Sequence, residues 1–293
     1  MFHSLTDGII LENGVKIPCV GYGTWQLQDG QQAKDCVRQA IEAGYRHVDT
    51  ADDYANEMGV GQGVRSCGVA REEIFVTTKH WITNRGYEKT IAAFDRSLQK
   101  LGLDYVDLYL IHWPAVAKAV PNWEEVNADT WRGFEKLYRD GKIRAIGVSN
   151  FLPKHLDSLI ANSTIKPMVD QIEFHPGFYQ PEAVEYCKQK GIAVEAWSPL
   201  GMGRVLTDPL LTQIAAKYGK SVAQLCIRFA LQQDVIALPK TKNPAHIIAN
   251  TEVFDFEISV EDMAAIQAMP LTGFSECYPD EGTIDFKEKT RYL

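Results

Sequence analysis

The feature that most constrains this chain is a regular alternation between two hydrophobic periods. Short runs rich in β-branched and aromatic residues recur along it, each followed by a longer stretch of helical period. Eight such runs fall at 17–23, 45–49, 74–79, 105–112, 143–149, 168–174, 192–198 and 235–240. Between them the segments 31–44, 87–102, 123–141, 154–163 and 181–191 read as helices. Four of these end in glycine, at Gly44, Gly102, Gly141 and Gly191, where a left-handed C-cap would turn the chain into the next strand. Strands that alternate with helices pair in parallel. Eight units in 293 residues leave about 37 residues per unit, enough for a βαβ crossover. The economical α/β architecture is therefore a closed (β/α)8 barrel of the TIM type.

Three segments stand outside the repeat. The stretch 7–18, DGIILENGVKIP, reads as a hairpin turning at Asn13-Gly14. Its strands run antiparallel, so its place is as a plug over one barrel end. Residues 207–232 hold two short helical patterns instead of one before the last strand, and 270–293 form a polar, turn-rich tail. No Pro/Ser linker or low-complexity stretch interrupts the chain, which predicts one domain over 1–293.

Composition narrows the class of function. Hydrophobic residues at 45% and charged residues at 23% allow a sizeable core and argue against extended disorder. With 30 Lys+Arg against 38 Asp+Glu, a formal charge of −8 and no basic run, neither nucleic acid nor an acidic membrane is the expected partner. The 6 cysteines are scattered without a C-x-x-C pair, fitting neither a zinc site nor a disulfide framework. The start, MFHSLTDGII, lacks the basic and apolar regions of a signal peptide, and no apolar run is long enough to span a bilayer. A cytoplasmic location is expected.

In such a barrel, the active site forms where strands end. The runs here finish at Asp49, at Lys79-His80, at His112-Trp113, at Ser149-Asn150, near Gln171, at Trp197-Ser198 and at Lys240-Thr241, so polar groups follow directly on apolar stretches. Taken singly, each has an ordinary explanation: Asp49 as a helix N-cap, Lys79 as a solvated surface group, His112 as a satisfied core histidine. Ring closure changes this by bringing neighbouring strand ends together. A tyrosine such as Tyr54 is a poor proton donor near neutrality unless an ammonium lowers its pKa, and Lys79 is a candidate for that ammonium. A carboxylate, Asp49, would keep a buried Lys79 charged. A neutral imidazole, His112, would orient and polarise a carbonyl oxygen. Metal hydrolysis is disfavoured by the lack of an H-x-H pair, and nucleophilic hydrolysis by the lack of a G-x-S-x-G elbow or a paired Cys and His.

These residues sit in motifs that resemble the aldo-keto reductase family from end to end, in the microbial branch that includes 2,5-diketogluconate reductases and prostaglandin F synthases. GYRHVDTADDYANEMGVG (44–61), GKIRAIGVSNF (141–151) and IALPKTKNPAHIIAN (236–250) are similar to its three signatures, in order. The resemblance implies a catalytic tetrad of Asp49, Tyr54, Lys79 and His112, and NADP(H) held in extended form without a G-x-G-x-x-G loop. It implies carboxamide contacts from Ser149, Asn150 and Gln171, and stacking of the nicotinamide on Trp197. Further cofactor contacts are implied at Gly23, Thr24, Asp49, Ser198, Leu200, Gly201, Lys240, Thr241, Lys242, His246 and Asn250. Trp25, Trp81 and Trp113 would wall the substrate pocket beside Tyr54 and His112. The implied partner is a small carbonyl compound, and the implied protein is a monomer without a metal.

The third signature departs from the family at two positions. His246 stands where an arginine usually meets the 2′-phosphate, and Ala249 where a glutamate is usual. An imidazole lacks the guanidinium's permanent charge and planar fork, so NAD(H) becomes a possible cofactor beside NADP(H). The expected activity is reduction of aldehydes and ketones by hydride transfer with Tyr54 as general acid. The alternative is a cofactor-binding regulatory or sensor subunit on the same barrel.

Overall fold

The computed structural model describes residues 2–280, so residues 281–293 of the predicted tail lie outside the described residues. The chain opens with an antiparallel hairpin, β1 (Gly8–Ile10) and β2 (Lys16–Pro18). Its turn is closed by the Leu11 N–H donating to the Val15 carbonyl at 2.8 Å, and Gly14 takes the positive φ of 83° that the turn requires. Asn13 donates to the Arg144 carbonyl, at the N-terminal end of a barrel strand. The plug therefore closes the end opposite the strand C-termini.

Eight parallel strands follow: β3 (Tyr22–Gly23), β4 (His47–Asp49), β5 (Phe75–His80), β6 (Val106–Ile111), β7 (Ile143–Ser149), β8 (Val169–Glu173), β9 (Ala193–Trp197) and β10 (Ile236–Ala237). They pair in sequence order. The ring closes through a parallel bridge between Val20 and Ala237, with Gly21 N–H donating to the Ala237 carbonyl and Gly23 N–H to the Pro239 carbonyl. The TIM-type barrel is thus the architecture observed, and β4 to β6 are buried along their whole length, as strands covered on both sides must be.

The helices between strands are α1 (Gln31–Glu42), α2 (Glu57–Ser66), α3 (Tyr87–Leu101), α4 (Trp123–Arg139), α5 (Pro153–Ala161) and α6 (Pro181–Gln189). Two helices, α7 (Pro209–Lys217) and α8 (Val222–Leu231), precede β10, and α9 (Pro244–Ala249) and α10 (Val260–Gln267) follow it. Gly44, Gly102, Gly141 and Gly191 all have positive φ where the helices end. No helix among the described residues is long and apolar enough to cross a membrane.

Three features differ from the sequence expectation. The apolar run 17–23 serves two sheets: its start pairs with β1 in the plug, and the barrel strand proper begins at Tyr22. Pro18, which has no N–H for a ladder, sits at the end of the hairpin pairing. The run 235–240 likewise contributes only Ile236–Ala237 as strand before Pro239 interrupts the ladder. Helix α2 was absent from the predicted helices because Gly59, Gly61 and Gly63 are poor helix formers. Packing explains them: a Cβ on Gly61 would collide with the Leu101 carbonyl of α3, and one on Gly59 or Gly63 would collide with Gly30 or with Val37 of α1.

Candidate active site

Strand side chains alternate between the barrel interior and the helical layer, so Asp49 of β4, Lys79 of β5 and Gln171 of β8 meet inside the ring. Lys79 is fully buried and its Nζ donates to Asp49 Oδ1 at 2.6 Å, to the Thr50 carbonyl at 3.0 Å and to the Tyr54 hydroxyl at 3.2 Å. All three ammonium hydrogens are thereby engaged. Burial pulls the Lys79 pKa down, but the Asp49 charge and the Tyr54 contact outweigh it and leave the ammonium above its ordinary value. Tyr54 ends a short 3-10 turn, Asp52–Tyr54, directly after β4. Ala55 follows in a left-handed conformation (φ 53°), which stops that turn and leaves the ring over the strand ends.

The electrostatics of Tyr54 differ from the sequence expectation. Lys79 acts in the expected direction, but burial acts more strongly, and the Tyr54 pKa is pushed up to about 12. The hydroxyl therefore carries its proton throughout the neutral range. His112 packs edge-on to Tyr54, with ring centroids 5.6 Å apart, and edge-on to Trp81 at 5.1 Å. Burial, with Lys79 and His80 adding to it, holds His112 well below the usual histidine pKa, so its imidazole is neutral. Its Nδ1 is buried without a hydrogen-bond partner among the described residues.

Above this cluster opens a cleft of about 670 Å³. Asp49, Tyr54, His112 and Gln171 line its floor, with Trp25, Trp113 and Trp197 on the walls. Asn150, in a left-handed conformation (φ 64°) just after β7, ties three strand ends together. Its Nδ2 donates to the His112 carbonyl at 3.0 Å and to Ser149 Oγ at 3.1 Å, and its Oδ1 accepts from Trp197 Nε1 at 2.8 Å. Gly23, Ser198, Leu200, Lys240, Thr241, His246, Ala249 and Asn250 continue the lining away from Tyr54.

Six predicted site residues lie outside that lining, the first being Lys79, buried beneath it on Asp49 and Tyr54. Thr24 is buried, its hydroxyl donating to the Asp49 carbonyl, and Ser149 is buried with its hydroxyl on the Gln171 carbonyl. Trp81 backs His112, Gly201 is buried beside the lining residues Met202 and Gly203, and Lys242 is exposed next to Thr241. Among the described residues, no group of three or more His, Cys, Asp or Glu side chains could hold a metal ion.

Some functional neighbours escaped the sequence reading. Glu195 and His47 sit one layer below the tetrad, and Gln26, Asp53, Leu206 and Gln224 line the cleft. For Glu195 and His47 a signal existed. Each lies two residues before a predicted site residue on the same strand, Trp197 and Asp49, and so on the same face.

An extended dinucleotide phosphate suits this donor set. Lys240, half-buried in the cleft wall, has no ion pair among the described residues, and burial and the Lys242 charge together lower its pKa. Such a cation gains from an anion. At the other end Gln171 spends both Nε2 hydrogens on carboxyl groups, leaving its Oε1 to accept from a carboxamide.

A family model described as the Aldo/keto reductase family matches residues 19–270. The chain belongs to the aldo/keto reductase family. Among its relatives is the glyoxal reductase of Bacillus subtilis (strain 168), 52% identical over 91% of this chain and 94% of that protein. Another is the 9,11-endoperoxide prostaglandin H2 reductase of Trypanosoma cruzi (strain CL Brener), 50% identical over 89% of this chain and 90% of that protein. The crystal structure of a Bombyx mori aldo-keto reductase in complex with NADP matches with a TM-score of 0.82 and 37% identity, covering 97% of this chain and 96% of that one. In this reductase the signature residues Asn56 and Glu57 are buried structural groups. Asn56 bonds Thr50 and the Thr24 and Leu27 carbonyls, and Glu57 accepts from Thr78.

Proposed function

We propose that this oxidoreductase reduces small aldehydes and ketones to alcohols with NADPH, and that Tyr54 is the general acid. When bound, NADPH supplies the hydride. Everything else is work for the chain's own side chains. His112, neutral and facing the cleft, donates a hydrogen bond that orients the carbonyl oxygen and stabilises the charge it acquires. Tyr54 delivers its proton to that oxygen, and the Lys79 ammonium, 3.2 Å from the phenolic oxygen, stabilises the phenolate left behind. Asp49 keeps Lys79 charged in a dry site. Trp197 offers a flat face for the nicotinamide, with Asn150 fixing its ring plane. Trp25 and Trp113 favour apolar groups on the carbonyl carbon.

The observation that carries the reading is the contact of Lys79 with both Asp49 and Tyr54 beneath an open cleft. Cofactor preference is for NADPH over NADH, narrowed by His246. The name of the Bacillus subtilis relative makes glyoxal a first substrate to test. Oxidation of NADPH in the presence of 4-nitrobenzaldehyde or glyoxal tests the proposal. Turnover supports the reductase, and tight NADPH binding without turnover supports a regulatory subunit.

A further inference from the structure

Beneath the tetrad lies a second carboxyl group for which the reaction above has no use. Glu195 of β9 is fully buried, and its Oε2 accepts from Gln171 Nε2 at 2.9 Å. The same nitrogen donates to Asp49 Oδ2, also at 2.9 Å. One amide thus joins two carboxyl groups, and its orientation is fixed by both. Asp49 is neutralised by Lys79 at 2.6 Å. Glu195 is not: the remaining oxygen, Oε1, has no hydrogen-bond partner among the described residues and lies 3.9 Å from His47 Nε2.

The groups facing Glu195 can be named element by element. Strand β4 presents His47 and Asp49, β5 presents Lys79 with Thr77 bonded to His47, and β8 presents Gln171. Strand β10 contributes only Ile236 and Ala237, and on β3 the Tyr22 hydroxyl turns away to the Thr241 carbonyl. Burial holds His47 down to about 4, so it supplies no cation. Two carboxyl groups sharing one amide in a dry interior cannot both ionise cheaply, and the one without a cation keeps its proton.

We infer that Glu195 is a positioning residue for the tetrad: through Gln171 it fixes the amide that meets Asp49 and the cofactor, and loss of its proton weakens Tyr54 as an acid. Burial first, and then the Asp49 charge, push Glu195 up to about 8. Below that pH it is a neutral acid holding Gln171 in place. Above it, an unneutralised negative charge stands beside the Asp49–Lys79 pair and raises the proton affinity of Tyr54.

The inference rests on the reading of Tyr54 as acid for its kinetic half only. Its other half is visible in stability without any cofactor. Glu195 ionises near 4.5 when the chain is unfolded but near 8 when folded. The folded state therefore binds the extra proton between those values, and stability falls as pH rises across that window. Glu195→Gln removes this contribution, which is up to tenfold in the folding equilibrium per pH unit, or about 1.4 kcal/mol. In urea titrations from about pH 6.5 to 8, the variant should show a slope shallower by roughly that amount. An unchanged slope would mean that Glu195 is already ionised, and would overturn the inference.

In single-turnover reduction, the wild-type rate should fall by about three- to ten-fold as pH rises through 8, a shift of up to one pKa unit at Tyr54, before any steeper limb. Glu195→Gln should lack that step, and a step that persists in it overturns the coupling to Tyr54. Glu195→Met, uncharged and of similar size, carries both measurements if the Gln variant does not fold. Having no acceptor for Gln171, it should also bind NADPH at least about three-fold more weakly than Glu195→Gln does. Equal affinities would rule out positioning through Gln171. Failure of the Tyr54 reading is separately visible, as turnover surviving in Tyr54→Phe while the stability slope still responds to residue 195.

Discussion

The Lys79 ammonium lies 3.2 Å from the Tyr54 hydroxyl and is shared with Asp49 and the Thr50 carbonyl. This arrangement stabilises charge on Tyr54 only after the proton has left. With its pKa at about 12, the tyrosine is protonated throughout the neutral range, and the ammonium offsets part of the desolvation that put it there.

Removal of the Tyr54 hydroxyl alone should therefore abolish most of the chemistry and little of the binding. Tyr54→Phe is expected to lower kcat by about 10²–10⁴-fold, the usual range for a general acid, with NADPH affinity within a few-fold. Steady-state kinetics and fluorescence titration check both parts, and near wild-type turnover would remove Tyr54 from the mechanism.

Lys79→Met should lose turnover by at least about 10²-fold and also destabilise the fold, because it leaves Asp49 buried without its partner. Breaking a buried pair from one side costs about 3–5 kcal/mol. Replacing both, as Lys79→Met with Asp49→Leu, should recover part of that stability in urea unfolding while turnover stays lost. Recovery of activity in the double variant would contradict the role given to the ammonium.

At the far end of the cleft, Lys240 and His246 line the wall and Lys242 stands exposed beside it. A charge-assisted hydrogen bond contributes roughly 1.5–3 kcal/mol, so His246→Arg should tighten NADPH by about tenfold or more and leave NADH nearly unchanged. Equal tightening of both cofactors would show that residue 246 does not meet the 2′-phosphate. A wild type preferring NADH would show that the two lysines do not select for it.

Gly61 tests the packing of α2. A methyl group there meets the backbone carbonyl of Leu101, which cannot give way as a flexible side chain can. Gly61→Ala should destabilise by about 1–3 kcal/mol despite alanine's better helix propensity. A urea midpoint equal to or above the wild type's would refute the close approach.

How far the sequence reaches is visible in these same residues. The barrel was legible because its signal is local: each strand and helix announces its own period, and Gly44, Gly102, Gly141 and Gly191 mark where one gives way to the next. The neighbourhood of Asp49, Lys79 and His112 followed from strand order alone, since consecutive parallel strands place their C-terminal ends side by side. Helix α2 was not legible, because three glycines that oppose a helix locally are required by what packs against it. Nor was the division of 17–23 between plug and barrel, which depends on the pairing of Val20 with Ala237, far away in the chain. The sign of the Tyr54 shift was set by burial outweighing Lys79, and the contact of Glu195 with Gln171, and through it with Asp49, by closure of the ring. Both are quantities of the closed barrel: desolvation and cross-barrel distance have no value until all eight strands surround the site.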